Sequence, residues 1–158
     1  MDDCVFCGIV AGKIDCVVLY EDAEIIAFLD IAPIRPGHSH IIPKQHFETF
    51  EVMPPELAGR IIALGQVLAQ RLKSAYPVER VAFVFTGGDI AHAHAHVVPM
   101  VEKTDITSAR YIVGRQDLQW ASDHLNVDRE TLLAVRRQLG MGPDVNQQPS
   151  NTRMEPTR

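Results

Sequence analysis

Three of the seven histidines in this chain, His92, His94 and His96, recur at every second position, separated by Ala93 and Ala95 and followed by Val97, Val98 and Pro99. In a β-strand alternate side chains share a face, so this run predicts an imidazole array on one side of a strand and small apolar residues on the other. Imidazole titrates closer to neutrality than any other side chain. Such an array therefore suits general acid/base catalysis, nucleophilic attack or metal ligation. Three more histidines, His38, His40 and His46, form a second group, while His124 stands apart and reads as a surface residue. Cys4 and Cys7 have the Cys-x2-Cys spacing that lets two sulfurs reach one tetrahedral ion. The residues alone leave three readings of that pair: a zinc site completed by histidines, two free thiols, or a redox dithiol. The last would want a preceding strand that the sequence lacks.

The elements that must position these groups can be read in order. Val5 to Ala11 predicts a short helix ending near Gly12. Val17–Tyr20 and Ile25–Leu29 are β-branched and aromatic runs flanking a charged turn, as in a hairpin. Ile31 to Gly37 holds two prolines and a glycine and reads as a loop. It leads into a third strand, His38 to Ile42, stopped by Pro43. Pro54 and Pro55 open a helix reaching about Ala75, with Leu57, Ile61, Leu64, Leu68 and Leu72 at helical spacing. Val81 to Phe85 predicts a fourth strand, and the Gly87-Gly88 turn delivers the histidine strand as the fifth. Asp128 to Leu139 predicts a last helix stopped by Gly140. These elements describe an α+β domain: an antiparallel sheet of about five strands, one long helix and a short N-terminal helix. The domain is expected to span 1–140, with 141–158 a disordered tail. Trp120 offers a docking group for the domain body or for a partner.

Composition narrows the function classes. A chain of 158 residues with 46% hydrophobic content is large enough for one buried core. A net charge of −5 argues against a nucleic-acid polymer as partner. No run approaches the roughly 18 apolar residues of a membrane span. Met1-Asp2-Asp3 has no secretory signature, and three cysteines crowded near one end do not suggest a disulfide framework. A cytoplasmic protein acting on a small ligand is expected.

Four ordered motifs bring a known family into view. His92-Ala93-His94-Ala95-His96-Val97-Val98 resembles the His-φ-His-φ-His-φ-φ signature of the histidine-triad (HIT) superfamily. Upstream, Cys4-Val5-Phe6-Cys7-Gly8-Ile9-Val10-Ala11-Gly12-Lys13-Ile14, Ala27-Phe28-Leu29-Asp30-Ile31 and Pro36-Gly37-His38 with Ile41-Ile42-Pro43-Lys44-Gln45-His46 are similar to its Hint-like branch. The resemblance covers about residues 4 to 100. It implies a HIT-like fold and a nucleotide hydrolase or transferase acting at the α-phosphate of nucleoside phosphoramidates or dinucleoside polyphosphates, through a covalent nucleotidyl-histidine. By the same resemblance His94 would be the nucleophile, His96 would hold a non-bridging phosphate oxygen, and His38 would orient and polarise the nucleophilic ring.

Asp30 would accept the ribose hydroxyls of a purine nucleotide, and Phe6, Ile9, Ile14, Phe28 and Ile31 would wall the base pocket; read as residues alone, those five are core. Cys4, Cys7, His46 and His92 would hold a structural zinc, and a homodimer is the family expectation. Thr86 stands near the family's usual asparagine, and Asp89 stands three residues before His92, on the leaving-group side of the site. His40 occupies a place where the family usually has an aliphatic residue. Two other readings fit the residues: a metallohydrolase gripping its ion with all three triad histidines, and a nucleotide-binding protein without turnover.

Overall fold

The computed structural model describes residues 4–86, 90–106, 112–114, 119–120 and 126–142. Helix α1 (Val5–Val10) precedes the hairpin β1 (Val18–Glu21) and β2 (Ile25–Leu29). Strand β3 (Ser39–Pro43), a single 3-10 turn at Phe50–Val52 and the long helix α2 (Pro55–Ala75) follow. Then come β4 (Arg80–Thr86), β5 (His94–Met100), the short pair β6 (Ile112–Gly114) and β7 (Gln119–Trp120), and α3 (Arg129–Leu139). The main sheet has the order β1-β2-β3-β5-β4, every neighbouring pair antiparallel. This is the predicted α+β architecture. Among the described residues no helix is long and apolar enough to cross a membrane. Gly87, Gly88, Asp89 and His124, with residues 143–158 of the expected tail, lie outside the described residues.

Side-chain alternation divides the sheet into two faces. Ala27, Leu29, Ile41, Ala95 and Val97 pack with Leu57, Ile61, Leu64, Leu68 and Leu72 of α2 and with Leu132, Val135 and Leu139 of α3. Ile26, Phe28 and Ile42 point to the opposite face and close on Phe6 of α1. Helix α2 lies so near β4 that a Cβ on Gly65 would come 2.4 Å from the Phe83 ring. Glycine is required there by close approach. Gly37 is needed for two reasons, since its φ is +95° and a Cβ would meet the Leu72 side chain at 2.4 Å. It thereby sets the entry of the chain into β3 just before His38.

Helix α3 starts on an Asp128 side chain that accepts the Thr131 N–H at 2.8 Å. It ends at Gly140 with φ +60°, the left-handed cap that the sequence predicts. The histidine strand differs from expectation at its start. β5 begins at His94 and not at His92, because the Ala93 N–H donates to the Phe47 carbonyl at 2.7 Å instead of to a strand neighbour.

Candidate active site and cation cluster

The face of the sheet opposite α2 carries the histidines. Register places His40 of β3 directly across from His96 of β5, with Phe28 of β2 on its other side. Thr86 of β4 lies across from His94. Phe6 from α1 closes over this row, its ring centroid 5.1 Å from that of His94 and 5.8 Å from that of His92.

The hydrogen bonds around the rings determine where each proton sits. The Ile34 N–H donates to His38 Nδ1 at 3.2 Å, so His38 carries its proton on Nε2 and donates it to His96 Nδ1 at 2.8 Å. His96 must then present Nε2–H, which reaches Thr86 Oγ1 at 2.8 Å. His94 donates Nδ1–H to the His92 carbonyl at 2.7 Å, leaving a bare Nε2 that accepts from the same Thr86 hydroxyl at 2.8 Å. The chain runs one way, from the loop at Ile34 to the unprotonated Nε2 of His94. Burial, with the neighbouring imidazoles, pushes His96 down to about 3; burial pushes His38 down to about 4. Both rings are therefore neutral near pH 7, as this donor–acceptor order requires.

This geometry corrects one expectation. His38 bonds His96 and not His94, and the ring of His94 is oriented by the His92 carbonyl. The register is the reason. His40 opposes His96, so His38 lies level with Val98 and diagonal to His96, whereas His94 lies level with Ile42, four residues along β3.

Asp30 sits at the end of β2 with 15% of its side chain exposed. Its Oδ1 accepts the Ala32 N–H at 2.7 Å and its Oδ2 accepts His40 Nε2–H at 2.8 Å. Burial alone would raise its pKa, but the bond and charge of His40, with help from His38 and the Ala32 N–H, hold the carboxyl well below the usual carboxylate range. The residues proposed as pocket walls divide. Phe6 and Phe28 are buried at 3% and 4% exposure, and Ile9 is half-buried. Ile14 and Ile31 are 40% and 67% exposed, so the reading of all five as core fails for these two.

His92 faces away from the other triad rings. Its Nε2–H donates to the Pro43 carbonyl at 2.9 Å, which leaves Nδ1 as a lone pair 3.5 Å from Cys4 Sγ and 3.7 Å from Cys7 Sγ. His46 Nδ1 lies 3.3 Å from Cys7 Sγ. Two ligands of a tetrahedral zinc with ordinary Zn–S and Zn–N bonds lie about 3.6 Å apart. The four donor atoms, all within 4.8 Å of one another, fit such an ion. The Pro43 carbonyl supplies the outer hydrogen bond that fixes a ligating imidazole. Asp30, His38, His40 and His96 also bring donor atoms within 4.8 Å. There, however, the atoms are close because His38 bonds His96 and His40 bonds Asp30. Among the described residues His92 belongs to one cluster, His96 to the other and His94 to neither, so the three triad histidines do not converge on one ion.

A second pair escaped the sequence reading. Asp105, fully buried after β5, accepts from Arg35 Nε at 3.0 Å and Nη2 at 2.8 Å and from the backbone N–H groups of Val101 and Glu102 at 2.8 and 2.9 Å. Arg35 lies in the loop before His38, and its carbonyl accepts the His38 N–H at 3.0 Å. No local spacing announces a contact 70 residues apart. His40 could have been placed, since it lies two residues from His38 on one strand and so shares its face.

Comparison with known proteins gives the family. Residues 11–103 match the model of the HIT domain. The chain belongs to the HIT domain family. Over 156 residues it is 30% identical to the adenylylsulfatase HINT3 of Arabidopsis thaliana, covering 90% of this chain and 73% of that protein. It is 37% identical over 101 residues to the adenosine 5'-monophosphoramidase hnt1 of Schizosaccharomyces pombe, covering 61% of this chain and 73% of the relative. Among solved structures, a zinc-bound histidine triad protein from Mycobacterium smegmatis superposes with a TM-score of 0.66 at 28% identity, over 88% of this HIT chain and 94% of that one.

Proposed function

We propose that this HIT domain hydrolyses nucleoside phosphoramidates or related nucleotidyl compounds at the α-phosphorus, through a nucleotidyl-His94 intermediate. One observation carries the reading. A single oxygen, Thr86 Oγ1, sits 2.8 Å from the bare Nε2 of His94 and 2.8 Å from the Nε2–H of His96. A phosphate oxygen replacing that hydroxyl would receive the His96 bond while its phosphorus lay within reach of His94. In the first step the His94 lone pair forms an N–P bond as the bond from phosphorus to the leaving group breaks, and the leaving group takes a proton from solvent, to which the attacking water of the second step returns one. The Nδ1–H held by the His92 carbonyl supports the positive charge that the ring acquires. In the second step water attacks phosphorus, the N–P bond breaks, and a nucleoside monophosphate leaves with neutral His94 restored.

Asp30 would accept the ribose hydroxyls, and the exposed Ile14 and Ile31, with Phe6, Ile9 and Phe28, would cover a purine. The substrates of the two named relatives, an adenylyl sulfate and an adenosine monophosphoramidate by their names, support this class. Cys4, Cys7, His46 and His92 would hold a structural zinc, with no open position for water, tying α1 to the triad. A second copy would pair along β4, the edge strand next to β5. Turnover of a fluorogenic adenosine phosphoramidate tests the reading. His94→Asn is expected to abolish hydrolysis while nucleotide binding persists. A folded His94→Asn protein that still turns over would refute it.

A further inference from the structure

We propose that His40 determines sugar specificity in this site, by holding Asp30 as a fixed receptor for two neighbouring hydroxyls and so favouring ribonucleotides over deoxyribonucleotides. The inference rests on the reading of Asp30 as the ribose acceptor. Each carboxylate oxygen can accept two hydrogen bonds. The Ala32 N–H takes one on Oδ1 and His40 Nε2–H takes one on Oδ2. His38 Nδ1 lies 3.4 Å from Oδ2 but accepts from the Ile34 N–H and so donates nothing to it, which leaves one acceptor position on each oxygen of a side chain that keeps 15% exposure. A vicinal diol supplies the matching pair of donors. A sugar lacking either hydroxyl leaves one charged acceptor without its donor.

Packing alone does not call for a histidine at this position. His40 is 8% exposed, and its Nδ1 is buried without a hydrogen-bond partner among the described residues. Phe6, Phe28, His38, His94 and His96 surround it. A leucine of similar volume would fill the same space without an unpaired Nδ1, at the cost of the bond that Asp30 Oδ2 accepts. Register fixes what the ring can do, since His40 lies between Phe28 and His96 and spans the sheet from the phosphate end of the site to Asp30. Without that N–H, Oδ2 has two open acceptor positions and the carboxylate is free to turn. A single hydroxyl or a water can then satisfy it, and the count that demands a diol is lost.

Isothermal titration of AMP, 2'-deoxy-AMP and 3'-deoxy-AMP against the full chain tests this, with thermal unfolding as a second readout. The unaltered protein is expected to prefer AMP over each deoxy analogue by on the order of tenfold to a hundredfold, the usual effect of leaving a charged partner unpaired. In His40→Leu that preference should shrink to about threefold or less, in a protein that thermal unfolding shows to be folded. In His40→Gln, whose amide N–H reaches about as far as Nε2, the preference should return. A His40→Leu protein that keeps the full preference would overturn the inference while leaving the nucleotide site intact. If His40→Leu fails to fold, His40→Gln decides: loss of the preference there overturns it too. Absence of AMP binding by the unaltered protein would overturn both the inference and the reading of Asp30.

Discussion

Replacing Asp105 with alanine removes at least four hydrogen bonds from a carboxylate with 0% exposure, among them two from Arg35 and two from the Val101 and Glu102 backbone. The guanidinium of Arg35, 18% exposed, would keep only Glu102, 3.2 Å away and itself 58% exposed. Removing one partner of a buried pair costs about 3–5 kcal/mol. Arg35 reaches some water, so the lower end applies, about 3 kcal/mol, or roughly 10 °C in melting temperature for a domain of this size. The pair also has a pH signature. Burial alone would raise the Asp105 pKa, but Arg35 and the backbone N–H groups hold it below the usual carboxylate range. Its contribution is thus complete above the unfolded carboxyl pKa and is lost as pH falls below it. Urea unfolding of the parent and Asp105→Ala at pH 7 measures the loss. Because the Arg35 carbonyl anchors the His38 N–H, the same variant is expected to lower kcat several-fold at temperatures where it is folded. A destabilisation under about 1 kcal/mol would refute the view that this contact fastens the loop carrying His38.

Further outcomes follow from the same geometry. Purified protein is expected to carry about one zinc per chain by elemental analysis, and Cys7→Ser should abolish it and lower the melting temperature; a metal-free parent with unchanged stability in Cys7→Ser would contradict the structural zinc. Folded-state pKa values depressed to about 4 for His38 and about 3 for His96 mean that the unfolded chain binds more protons below its histidine pKa. Stability is then fully present above about pH 6.5 and declines as pH falls toward 4. Urea midpoints across that window should show the decline, and His38→Gln should lessen it; a flat profile would contradict the neutral pair. Thr86→Val is expected to cut kcat about tenfold or more through loss of a donor at the phosphate, with Thr86→Ser retaining most activity; equal rates in all three proteins would remove Thr86 from the site.

Much of this HIT domain was legible in its sequence because its elements are periodic. The leucines of α2, the β-branched and aromatic run of β2, the alternating histidines of β5, and Pro55 and Gly140 at helix ends are local signals that tertiary packing does not overrule. The spacing of Cys4 and Cys7 and the triad likewise carried the two clusters into view. The bond partners were less legible, because they depend on register. A sequence shows that His38 and His94 share a face, but only the pairing of His40 with His96 shows that His38 meets His96 instead. Exposure was also hidden, since Ile14 and Ile31 read as core by type yet stand open to solvent. Arg35 and Asp105 have no local pattern at all; their meeting is a product of the fold.

The central claim is that His94 becomes covalently nucleotidylated. Rapid mixing with an adenosine phosphoramidate, quenching, and mass analysis of the peptide containing His92 to His96 measures it directly. The account predicts an adenylyl adduct on His94 that forms within the first turnover, decays as AMP appears, and is absent in His94→Asn. Steady turnover with no adduct at any time, or an adduct on another residue, would contradict it.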